Sequence, residues 1–175
     1  MTSDTIMIAY DGSQNSERAI GYAARFLRAK RTFVVTAWES GSHQSARLSS
    51  LAGGMQPAIP AEYGIDADDS LRAEAAQINL RGVHQARDAG MTAEGKLVEV
   101  VTTVWSALVD IANQLDADLL VTGTRGASGL KALLHSSTAE AVLKHSDRPV
   151  FIVPAACAGT SVAAPDLGSR AQPQR

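Results

Sequence analysis

Leu119-Leu120-Val121-Thr122-Gly123-Thr124-Arg125-Gly126, followed ten residues on by Ser136-Ser137-Thr138-Ala139-Glu140, is the stretch on which the reading of this chain turns. A short apolar run that opens into a glycine loop predicts a buried strand ending in a turn. Ser137-x-x-Glu140 has the form of a capping box, which sets a helix start at Ser137. Glycines at 123 and 126 permit sharp turning and close approach of a ligand. A helix start presents unpaired N–H groups and the positive end of its dipole. Strand, loop and helix start together suit phosphate. The same spacing also describes an ordinary loop before a capped helix, and the residues alone leave both readings open. No G-x-x-x-x-G-K-[ST] occurs, so this is not a Walker loop.

Outward from this stretch, strand-like and helix-like segments alternate. Thr5 to Tyr10 is an apolar run that stops at Asp11-Gly12-Ser13, a turn and helix-start signal. Ile20, Ala23, Ala24 and Leu27 then share one face of a first helix. Residues 33–38 read as a second buried strand. A second helix is expected over 69–89, ending before Gly90, with a third strand over 92–98. Val104, Leu108, Ile111 and Leu115 form one stripe after a threonine cap, which predicts a third helix over 103–115. Residues 118–122 are the fourth strand, 138–145 the fourth helix, and 149–153 a last strand bracketed by prolines, as suits an edge. Such alternation implies an α/β fold, a five-stranded, mostly parallel sheet with helices on both faces. Ligands of such sheets bind beyond the carboxyl ends of the strands, where strand order reverses. Asp11, Ala37 and Gly123 all fall at such ends.

Residues 41–68 are rich in Gly, Ser, Pro and Ala without a sustained period, and read as a long flexible loop, either a lid or plain disorder. Residues 155–175 contain almost no large apolar side chains and are expected to be a disordered tail. The 175 residues carry 16 basic and 18 acidic side chains, a net charge of −2. That balance favours neither nucleic acid nor an anionic membrane as partner. No stretch approaches the roughly 18 apolar residues that span a bilayer, and no leader pattern opens the chain, so a cytoplasmic protein is expected. A lone cysteine, Cys157, offers no intramolecular disulfide and no multi-cysteine zinc site. His43, His84, His135 and His145 lack ligand spacing, and Ser13 and Ser16 lack a nucleophile elbow. Trp38 and Trp105 read as packing residues.

Asp118 to Lys131, the Ser136-Ser137 pair, Arg148-Pro149-Val150-Phe151-Ile152-Val153 and Ala9-Tyr10-Asp11-Gly12-Ser13 resemble the universal stress protein family, in order and spacing, over residues 5–154. The resemblance implies a Rossmann-like fold of the adenine nucleotide alpha-hydrolase-like type, ATP as ligand with or without Mg²⁺, and a homodimer through residues 150–153. Carried across residue by residue, it puts Asp11 by the ribose or adenine, Ala9 and Tyr10 on the same wall, and Ala37 beside the base. Gly123, Arg125 and Gly126 would follow the ribose and inner phosphates, and Ser136, Ser137 and Thr138 the outer ones. Asp11 has a second reading, since Asp-Gly-Ser is a common turn whose carboxylate caps the following amides.

In ATP-binding members the signature is G-x-x-G, nine residues, then G-[ST]; this chain departs from it at Ser136. A positive φ there would cost serine about 1 kcal/mol, whereas a negative φ keeps the N–H and adds a hydroxyl donor. No strong general base or Mg²⁺ carboxylate cluster stands out, so at most slow ATP hydrolysis is expected. The resemblance therefore implies an ATP-binding, cytoplasmic stress-response module. The alternative is a nucleotide-free dimeric scaffold of the same fold.

Overall fold

The computed structural model describes residues 4–41, 62–124 and 138–155. Its elements are β1 (Thr5–Ala9), α1 (Gln14–Phe26), β2 (Arg31–Trp38), α2 (Glu62–Asp88), β3 (Ala93–Glu99), α3 (Val104–Gln114), β4 (Leu119–Gly123), α4 (Thr138–His145) and β5 (Val150–Val153). The strands form one sheet in the order β3-β2-β1-β4-β5. Every pairing is parallel, so the expected sheet is wholly rather than mostly parallel. Order reverses at β1, and β5 lies at an edge, as its flanking prolines suggested.

Two-residue periodicity splits the apolar side chains of the strands between two cores. Ile6 and Ile8 of β1, Tyr10 just beyond it, Val34 of β2 and Val121 of β4 pack with Ala19, Ile20 and Ala23 of α1 and Val83 and Ala86 of α2. Met7, Phe33, Val35 and Leu120 face the other way, against Leu108 and Ala112 of α3 and Val142 of α4. A central strand buried on both faces must be apolar throughout, which is why β1 reads as a continuous run without alternation.

The helix ends are set by local chemistry. Ser13 caps α1, its Oγ accepting from Ser16 N at 3.3 Å, and Thr103 caps α3 in the same way from Ser106 N. At the other end of α3, the Arg148 side chain donates to Ala117 O and to Asn113 Oδ1, which ties the approach to β5 to the turn before β4. Asp118 Oδ2 accepts the amides of Asp4 and Thr5, fixing the start of β1 beside β4.

One expected boundary is corrected. α2 begins at Glu62, so the segment 62–68, read as the end of the long loop, is helical. Its composition carries no apolar period and includes Gly64, which masked it. The remainder of that loop from residue 42, and the tail beyond residue 155, lie outside the described residues. Among the described residues no helix is long and apolar enough to cross a membrane.

Candidate functional site

β1 and β4 lie side by side at the point of reversal, and the chain turns away from the sheet after β1. After β1 the turn is Asp11-Gly12-Ser13. Gly12 has φ +76°, a left-handed conformation that an L side chain resists, and the Asp11 carboxylate accepts the Ser13 amide at 3.0 Å. That bond is the capping role foreseen for Asp11. The residue is exposed at the strand end.

A crevice of about 130 Å³ opens at the carboxyl ends of β1 and β4. Of the residues singled out in the sequence, Ala9, Tyr10, Asp11, Ala37, Gly123 and Thr138 line it together. Arg125, Gly126, Ser136 and Ser137 lie outside the described residues, so the phosphate half of the expected site and the capping box at Ser137 do too. The crevice lies on the α3/α4 side of the sheet. Ala9 and Val35 point to that side, and so by two-residue alternation do Ala37 and Thr122. Val104 and Leu108 supply an apolar wall from α3. Sequence reading assigned these two to a core stripe; nothing in a helical period tells which end of the stripe runs past the sheet into a crevice. Thr122 and Val35 were missed for a similar reason, being ordinary members of buried strands.

Tyr10 reaches the crevice at its strand end, but its ring goes to the opposite face. A Cβ on Gly82 of α2 would fall 2.6 Å from Tyr10 Cδ1, so the ring lies flat on a helix position that only glycine leaves open. Burial raises the Tyr10 phenol above its ordinary pKa of 10.0, helped by Glu17 and Asp11 and opposed by Arg81.

Gly123 has a packing duty beside any duty to a ligand. A Cβ there would sit 2.6 Å from the carbonyl oxygen of Asn15, because the first turn of α1 passes directly over the end of β4. The same turn contributes Ser13, Asn15 and Ser16 to the crevice. On the far side, α4 enters through Thr138 and Ala139, and its last residue, His145, stacks on Trp105 of α3 with ring centroids 4.4 Å apart. The two helices bounding the crevice are thereby joined. Chemically the arrangement is an apolar slot closed by small side chains, with a carboxylate and helix-start hydroxyls at its mouth. It is suited to a flat heterocycle carrying polar substituents.

Residues 2–154 match the model of the Universal stress protein family. The chain belongs to this family. Among its relatives, the stress response protein NhaX of Bacillus subtilis (strain 168) is 27% identical over 165 residues, covering 86% of this chain and 98% of NhaX. Among solved structures, a universal stress protein in complex with cAMP superposes with a TM-score of 0.60 at 24% identity, covering 87% of this chain and 98% of that one. The universal stress protein from Archaeoglobus fulgidus in complex with dAMP gives 0.58 at 21% identity, covering 87% and 99%. At these identities the two structures establish the shared fold. The family membership rests on the match along the chain.

Proposed function

We propose that this universal stress protein binds an adenine nucleotide, ATP foremost, in the crevice at the carboxyl ends of β1 and β4, and acts as a stress-response regulatory module. One observation carries the reading: Ala9, Asp11, Ala37, Gly123 and Thr138, far apart in sequence, line a single crevice at the point of strand reversal. The neighbours in complex with cAMP and dAMP support it, since both ligands carry the adenine that an apolar slot of this kind accommodates. Base and ribose occupy the slot between Ala37 and Asp11; the phosphates extend past Gly123 and Thr138. Bound nucleotide biases a conformational or dimer equilibrium by its differential affinity for the two states. The dimer forms along β5, an edge strand whose Val150, Phe151 and Ile152 remain partly exposed.

Calorimetric titration of the full chain with ATP, in the presence and absence of Mg²⁺, tests the proposal. Saturable binding with one site per chain is expected, and AMP and cAMP are expected to compete. No heat at millimolar nucleotide overturns it in favour of the nucleotide-free scaffold.

A further inference from the structure

Behind the crevice, on the opposite side of the sheet, lies a buried amide. Asn79 projects from the middle of α2 and is 7% exposed. Its Nδ2 donates to Val34 O at 2.9 Å, to Thr36 Oγ1 at 3.1 Å and to Lys96 O at 3.1 Å. The first two acceptors flank Val35, whose side chain faces the crevice, and Ala37 follows immediately. The third belongs to β3. Gly95 of β3 makes room for the arrangement, since a Cβ there would fall 2.0 Å from Asn79 Oδ1. A buried polar group held by three partners at the carboxyl end of β2 is more than a hydrophobic contact needs. The stripe around it, Ala75, Val83 and Ala86, is apolar.

We infer that Asn79 is a positioning residue for ligand binding: by tying the Val34 carbonyl and the Thr36 hydroxyl of β2 to the Lys96 carbonyl of β3, it sets where Val35 and Ala37 stand in the crevice. The inference rests on the adenine-nucleotide reading above. Asn79 touches no ligand itself. An amide fits the task because its NH₂ shares two protons among these three acceptors; an aspartate at this position would repel them, and a leucine would make no bond to them and leave the two carbonyls with their β2–β3 ladder bonds alone. The neighbouring β1 end is located by the same helix, through the Tyr10 ring on Gly82. α2 thus supports both strand ends of the base-side wall from behind.

The experiment compares Asn79→Leu with Val83→Ala, a cavity-forming change in the same helix that leaves the β2 bonds intact, and with Thr36→Val, which removes one acceptor. Adenosine and ATP affinities are measured by calorimetry well below each variant's unfolding midpoint. Asn79→Leu is expected to lose roughly tenfold in affinity, by the same factor for adenosine and for ATP, because only the base side is disturbed. Val83→Ala is expected to stay within twofold of the parent despite its lower midpoint, and Thr36→Val to fall between. Should Asn79→Leu fail to fold, Thr36→Val carries the test alone, with a threefold or greater loss expected. Parent-like affinity in the folded Asn79→Leu protein, or an equal loss in Val83→Ala, overturns the inference. Absence of nucleotide binding by the parent protein instead overturns the functional proposal.

Discussion

Glycine at 123 was prominent in the sequence for its closeness to a ligand, and in the fold it is first a matter of packing. The carbonyl of Asn15 occupies the space of any Cβ at this position, and a backbone atom cannot swing aside as a side chain can. Gly123→Ala is therefore expected to destabilise the protein by about 1–3 kcal/mol through overpacking, read as a lower urea midpoint with unchanged m-value. Loss of ligand binding in such a variant would not by itself identify a binding residue. Tyr10 supplies a second test at this scale. Its folded-state pKa is raised, so its contribution to stability is fully present below 10.0 and is lost as pH rises through the higher folded value. Denaturant midpoints taken from pH 8 to about 11.5 should fall above pH 10 in the parent and fall less steeply in Tyr10→Phe. Equal slopes would mean the buried phenol is not what the alkaline limb reports. Asp11 shows how far a residue can be read in advance. Both of its proposed duties were legible, and the turn bond to Ser13 is present, while its exposure at the crevice required the strand beside it.

Helices and strands were legible wherever burial imposed a period. Residues 138–145 and the α3 cap at Thr103 agree with the structure because each rests on chemistry within one turn of chain. α2 was misread at its start because a long helix touching the sheet along part of its length need not show a stripe over its first turns. β5 allows a prediction from its hydrogen-bond parity. Leu120 N bonds to Pro149 O and Thr124 N to Val153 O, so odd-numbered residues of this strand face β4 and Val150 and Ile152 turn their main-chain groups outward. Ile152→Pro deletes an outward donor and leaves the β4 ladder intact, a substitution edge strands tolerate. If dimers form along β5, the variant should sediment as a monomer with parent-like circular dichroism; retained dimers would place the interface elsewhere. Phe151 is the poorer probe, since its ring also packs on the core under α1.

For the molecule as a whole, the crevice is a consequence of topology. Ala9 of β1 and Thr122 of β4, which both line the crevice, are 113 residues apart in the sequence, yet their strands pair directly in the sheet. A ligand filling the space between them and bound only by the folded state should raise global stability by mass action, about 2.7 kcal/mol at a hundredfold excess over Kd. A thermal-unfolding series with ATP is expected to show a midpoint rising with the logarithm of concentration, and a flat series would count against binding to the native fold. The amino-acid sequence by itself determined the order of elements, the two-sided burial of the central strands and the family to which the chain belongs, because these depend on periodicity, caps and motifs written locally. Only the tertiary structure decided which faces meet. It turned the Val104 and Leu108 stripe into a crevice wall, sent the Tyr10 ring to the far side of the sheet, set Asn15 over Gly123 and brought Asn79 behind Val35. Each of these is a contact between residues distant in the chain, and no local pattern encodes which distant backbone will occupy the space a small side chain leaves.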